Sequence, residues 1–233
     1  MLRSQFLESK NKYTNGVLKN GMKYILNNNN YDNSVSIVIY VRVGSKNENK
    51  DIIGGAHFLE HMLYKGSKKY NSNIKINRKT DEICAINVNA ETEKNITNYY
   101  FKIPYQNIKE GLELLDELVF NALLNNNEFN KEKNVVIEEI NKVKDNSEEY
   151  CDHLIEYYLF NKTPLSHFIG GFKKDIKEMK RNNMLKFYNT YYIYSNSTIS
   201  ISGNLPNNIL QLLEKSFKNT RASEKRVIEH IYK

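Results

Sequence analysis

The stretch His57-Phe58-Leu59-Glu60-His61 sets two imidazoles and a carboxylate on one helical turn. At about 100° per residue, positions 57 and 61 lie about 40° apart on a helical wheel, with position 60 beside them. The neighbours Ala56, Phe58, Leu59, Met62 and Leu63 are apolar on nearly every side, which places this helix inside a core. Imidazoles and a carboxylate buried there need partners, and one divalent ion shared by the two histidines would supply them. The carboxylate between them would then face a water drawn to the same ion.

Outward from this helix, the pattern changes from a period of 3.6 to one of 2. Ser34 to Val43 alternates Val35, Ile37, Ile39 and Val41 against Ser36, Val38, Tyr40 and Arg42, as a half-buried strand does. Gly21 to Leu26 reads as an earlier strand after an Asn20-Gly21 turn, and Ala85–Glu91, Thr97–Ile103 and Ser197–Ser202 as later ones. Helices are expected around Ser72–Glu82, Asn107–Leu124, Glu128–Lys144, Glu148–Phe160, Asn182–Thr190 and Pro206–Phe217, with an N-cap offered by Asn125-Asn126-Asn127. Strands and helices mix without regular βαβ alternation, so the class is α+β. Thr220 to Arg226 reads as a linker, and Val227 to Lys233 could begin another strand. Residues 1–219 are thus expected to form one domain, with 220–233 a linker or tail.

Size and composition narrow the function classes. A chain of 233 residues with 40% hydrophobic and 26% charged residues can bury a full core. The net charge of +7 is spread over lysines interleaved with acids. No basic block or base-stacking motif appears, so nucleic acid is not an expected partner. No stretch is long and apolar enough to span a bilayer. Met1 to Lys12 lacks the apolar region of a secretory signal. Cys84 and Cys151 stand far apart without a C-x-x-C pair, which suggests reduced, partly buried thiols and a reducing compartment. The expected location is cytoplasmic, with mitochondrial as the alternative.

Two histidines hold a metal poorly without a third protein ligand. His153, His167 and His230 bear no spacing relation to the motif. The helix around Glu132–Val143 offers acids instead. Measured from Val136 on the helical wheel, Val143 falls at about −20°, Ile140 at about +40° and Val135 at about −100°. Glu139 falls at about −60° and Glu132 at about −40°, both on this apolar face, whereas Glu138 falls at about 200° with Asn134 and Asn141. Inward acids are costly unless they bind a metal or a hydrogen-bonded partner. Glu139 and Glu132 are therefore both candidates, and Glu138 is not.

The order H-x-x-E-H is the inverted zinc-peptidase motif. His57 to Met62, continued by Lys65-Gly66-Ser67, resembles H-F-L-E-H-M-x-x-K-G-[ST] of the pitrilysin/insulinase (M16) zinc peptidases. Val88-Asn89-Ala90 with Thr92, followed by Tyr99-Tyr100, is similar to that family's V-N-A-x-T … Y-Y hairpin. Glu132 to Ile140 resembles its E-x-x-V-[IV]-x-x-E-[IM] helix. The likeness runs from about Asn15 to Phe217 and is nearest to the N-terminal half of the processing-peptidase type. Ala85-Ile86 replaces the glycine pair usual before V-N-A, the loop Leu165–Gly171 loses an earlier Gly and Pro, and Tyr194 stands where a Pro is common.

This resemblance implies a mostly antiparallel sheet with helices on one face, and one zinc ion on His57, His61 and Glu139. It implies that Glu60 is the general base, that Glu132 orients a histidine ligand, and that Asn89 and Ala90 contact the backbone of an extended peptide. The expected activity is endoproteolysis of short or unfolded polypeptides. Because the family encloses substrate between two homologous halves, a homodimer or a homologous C-terminal-half partner is also expected. The alternative is a non-catalytic or partner-dependent subunit.

Overall fold

A computed structural model of the protein describes residues 13–218. Within them, six strands form one sheet: β1 (Tyr13–Val17), β2 (Lys23–Asn28), β3 (Ser34–Val41), β4 (Ile86–Thr92), β5 (Thr97–Pro104) and β6 (Ser197–Gly203). Their spatial order is β1-β2-β6-β3-β5-β4, and every neighbouring pair is antiparallel except β2 with β6. Eight α-helices accompany them: α1 (Gly55–Leu63), α2 (Asn73–Glu82), α3 (Ile108–Phe120), α4 (Asn126–Asp145), α5 (Ser147–Leu159), α6 (Lys173–Glu178), α7 (Arg181–Tyr191) and α8 (Ile209–Ser216). The class is α+β.

The centre of the sheet follows from side-chain alternation. Val35, Ile37, Ile39 and Val41 of β3 are fully buried, while Ser36 and Arg42 face out. Ile37 lies opposite Phe101 of β5 and Ile201 of β6, and Ile39 lies opposite Tyr99 and Ile199. This three-strand apolar face packs against α3, whose Leu112, Leu115 and Val119 point into the same core. Burying each such side chain stabilises the fold by about 1.5–3 kcal/mol. α1 is sequestered behind this layer against α4, β4 and α7, with Phe58 stacked at 4.9 Å on Phe129 of α4. The helix carrying the motif is therefore held on three sides by long elements, and its polar stripe meets the edge strand β4.

Several expectations are corrected. β1 had no sequence signal, because Asn15 and Gly16 are poor strand formers, yet it pairs along all of β2. α6 falls in a stretch for which the sequence predicts no element, and it is a six-residue helix. The helix expected over Asn107–Leu124 ends at Phe120, where Leu124 takes φ +47° in the turn that follows. The asparagine run starts α4 without any side-chain cap bond. Val135, expected on the inward face of α4, is 44% exposed, and Ile137 is buried in its place. Both cysteines are exposed free thiols rather than partly buried ones. His230 and the segment after Lys218 lie outside the described residues. Among the described residues, no helix is long and apolar enough to cross a membrane.

Candidate metal centre

α1 starts abruptly. Gly54 takes φ +80° and offers no side-chain cap. The Glu48 carboxylate takes over that role from a neighbouring loop, its Oε2 accepting the Gly54 N–H and its Oε1 the Ala56 N–H, each at 2.8 Å. These are among the orphan donors of a helix N-terminus. Burial pushes the Glu48 carboxyl up to about 8, against the two N–H groups and the Lys94 charge. A Cβ on Gly54 would lie 2.8 Å from the Cα of Gly171, itself at φ +72°. Both chains can approach only because neither position carries a side chain.

One turn into α1, His57 and His61 stand edge to face, with ring centroids 4.6 Å apart. Their Nε2 atoms are 3.3 Å apart. Glu139, projecting from α4, brings Oε2 to 3.4 Å from the His61 Nε2 and 3.9 Å from the His57 Nε2. Glu138 on the same helix is exposed. A donor atom from each of His57, His61 and Glu139 lies within 4.8 Å of the other two, the one such group among the described residues. Ligand bonds of about 2.0–2.2 Å at tetrahedral angles would hold donor atoms about 3.3–3.5 Å apart. Two nitrogens and a carboxylate oxygen at these separations suit zinc.

Glu132 lies two turns before Glu139 on α4 and is only 3% exposed. Its Oε1 is 2.8 Å from the His61 Nδ1, and its Oε2 is 2.7 Å from the Lys65 Nζ. Burial alone would raise the Glu132 pKa, but the bonds to His61 and Lys65 outweigh it and hold the carboxylate ionised. Burial also opposes the charged form of His61, yet Glu132 and Glu139 reverse that and raise its pKa. For His57 the Glu132 charge acts in the same direction but is outweighed. Burial and the neighbouring His61 bring it down to about 4, so its imidazole is neutral and available as a ligand.

Glu60 is half-buried beside this group. Desolvation raises its pKa, partly offset by the Thr92 hydroxyl, which donates to Oε2. Thr92 ends β4, whose outer edge pairs with no strand among the described residues. Asn89 donates through Nδ2 to the Tyr100 hydroxyl at 3.3 Å, and its backbone carbonyl accepts the Tyr64 hydroxyl at 3.1 Å. Ala90 is 8% exposed and lines both cavities that flank the cluster. One, of about 500 Å³, lies on the Glu60 side between Tyr64, Ile76 and Asn87. The other, about 370 Å³, lies on the His57 and Glu139 side against Ile140, Tyr150, Phe168 and Ile169.

The structure therefore brings His57, Glu60, His61, Glu132 and Glu139 into one cluster, with Asn89 and Ala90 on the adjoining edge. His153 lines the second cavity with its ring 5.3 Å from Phe168, away from the donor atoms. His167 offers its backbone carbonyl to the Lys94 ammonium at 2.7 Å and takes no part in the cluster. Sequence reasoning gave no role to Glu48, Tyr64 or Lys65. Lys65 lies just past the end of α1, where helical spacing gives no signal for it.

Comparison with known proteins gives the family. Residues 23–171 match the model of the insulinase family, peptidase family M16. The chain is 30% identical over 207 residues to the uncharacterised zinc protease YmxG of Bacillus subtilis (strain 168), covering 89% of this chain and 50% of that protein. It is 27% identical to the mitochondrial-processing peptidase subunit beta of Mus musculus, covering 91% of this chain and 43% of the subunit. A crystal structure of a protease from Helicobacter pylori superposes with a TM-score of 0.86 at 25% identity, over 93% of this chain and 52% of that one. The chain spans about half the length of these relatives. The family match spans the helices that carry the two histidines and Glu139, and the chain belongs to peptidase family M16, the insulinase family.

Proposed function

We propose that this chain is the metal-bearing half of a zinc-dependent endopeptidase that cuts extended, unfolded polypeptides. The observation that carries this reading is the convergence of His57, His61 and Glu139 within 4.8 Å, with the Glu60 carboxylate beside them and an open strand edge alongside. Zinc held by these three side chains would polarise the scissile carbonyl and acidify the attacking water.

The chain's own residues supply the rest. An extended peptide would add to the free edge of β4, taking main-chain hydrogen bonds near Asn89 and Ala90 and placing side chains in the two flanking cavities. Glu60 would accept a proton from the attacking water and return it to the departing amine. Its desolvated carboxyl is a stronger base than an exposed one, and the Thr92 hydroxyl fixes one oxygen so that the other stays available. Glu132 would hold His61 through Nδ1 so that Nε2 faces the ion. Half-length coverage of the relatives supports a requirement for a second half, either another copy or a homologous chain.

The test pairs zinc content with cleavage of a quenched peptide library, in wild type and Glu60→Gln. Zinc bound at about one ion per chain by both proteins, with cleavage lost only in the variant, is the expected result. Absence of zinc from the wild type would overturn the peptidase reading. Equal cleavage by both proteins would remove Glu60 from the chemistry.

A further inference from the structure

We propose that Lys65 is a positioning residue for the metal centre, acting on His61 through Glu132. This rests on the zinc reading above, because it concerns how one proposed ligand is held. Lys65 follows the last turn of α1, its N–H bonded to the Met62 carbonyl at 3.1 Å, and its side chain turns back under the helix. The ammonium lies 2.7 Å from the Glu132 Oε2, and the other oxygen of that carboxylate lies 2.8 Å from the His61 Nδ1. Each oxygen thus has its own donor, and the carboxylate plane is fixed at both ends.

That double anchoring matters because of where Glu132 lies. Its side chain is 4% exposed, so little solvent is at hand to replace a lost partner. With Lys65 present, the single acceptor that Glu132 turns toward His61 requires a proton on Nδ1, which leaves the lone pair on Nε2, the atom aimed at Glu139 and His57. Without Lys65, Oε2 would be an unpaired buried acceptor. The carboxylate would rotate or draw in a different donor, and the orientation of the imidazole would loosen with it. Lys65 also lines both the cavity beside Glu60 and a polar one formed with Asn71, Asn73 and Asn125–Asn127.

The experiment measures zinc affinity by competition with a chromophoric chelator, for wild type, Lys65→Met, Glu132→Gln and the double variant. Methionine keeps the length of the stem and removes the charge. Lys65→Met is expected to weaken zinc binding about 10- to 100-fold, the size seen when partners behind a ligand are removed. It should add little in the Glu132→Gln background, because the lysine acts only through that carboxylate. Long-range proton–nitrogen NMR of His61 in the metal-free proteins, read at a pH where the ring is neutral, should show the Nδ1–H form in wild type and a mixed or shifted signal in Lys65→Met. Thermal unfolding of the metal-free proteins checks that folding is intact. Zinc affinity within twofold of wild type in Lys65→Met would overturn the proposal, as would equal losses in both backgrounds. Should wild type bind no zinc, the zinc reading fails, and the His61 signal decides alone: an unchanged signal in Lys65→Met overturns the positioning role.

Discussion

Glu48 shows how one buried carboxyl ties the metal helix to pH. It is 6% exposed, and both its oxygens serve N–H groups at the start of α1. Its pKa is about 8 in the folded chain against 4.5 when unperturbed. A carboxyl raised in this way binds its proton more tightly when folded, so its contribution is complete below pH 4.5 and lost as pH rises toward 8. Asp116, buried against Tyr194 and Asn121, has the same sign but is raised only to about 7. His57 is lowered from 6.5 to about 4 and acts only on the acid side, where stability is lost as pH falls. His61 is raised, so its contribution is lost as pH rises past 6.5. Comparison of wild type with Glu48→Gln isolates the Glu48 part. Between about pH 6.5 and 8.5, the metal-free wild type should lose stability relative to the variant, with a slope of up to about 1.4 kcal/mol per pH unit. Urea midpoints of both proteins at the two pH values check this, and parallel midpoints would refute it. None of this was legible in the sequence. His57, Glu60 and His61 could be read from helical spacing alone, whereas Glu48 and Lys65 act through contacts that only the packed chain creates.

Elements were legible where periodicity is strong and opaque where tertiary contact decides. β3 and β5 announce themselves by alternation, and α4 by its long apolar stripe. The inward face of α4 is rotated from the expected one toward Ile137, and Phe129 on that helix packs against Phe58 of α1. Glu139 therefore sits at the rim of the buried face, 39% exposed, and reaches the histidines from the edge. The junction of α1 with the loop before α6 is the least readable feature, and it is made by two glycines. A Cβ at Gly171 would lie 2.8 Å from the Gly54 Cα and 2.9 Å from the Ile53 carbonyl, on a residue already at φ +72°. Gly171→Ala combines left-handed strain with overpacking and should destabilise the fold by about 2–4 kcal/mol. The start of α1 must also shift, so zinc affinity should fall together with the unfolding midpoint. A variant that unfolds like wild type would show that this contact is slack.

At the scale of the molecule, the sheet is finished on one side of the site and open on the other. β5 satisfies one edge of β4, and no strand among the described residues covers the second, directly beside Glu60 and Thr92. An uncovered edge is a template for pairing, and here it lies between two cavities that can hold side chains. The cluster itself needs only α1 and α4, so zinc binding should be a property of the single chain and independent of its concentration. Under the proposed function, productive capture of a peptide would need more, since the chain spans about half the length of its relatives. Under the homodimer reading, the cleavage rate per chain should therefore rise with chain concentration until dimers predominate, while zinc stoichiometry stays at about one throughout. Initial rates measured across a hundredfold range, alongside mass by light scattering, separate the possibilities. A rate per chain that is constant while the chain stays monomeric would mean that one half suffices. Zinc-loaded protein that cuts nothing at any concentration would point to a second half supplied by a different chain.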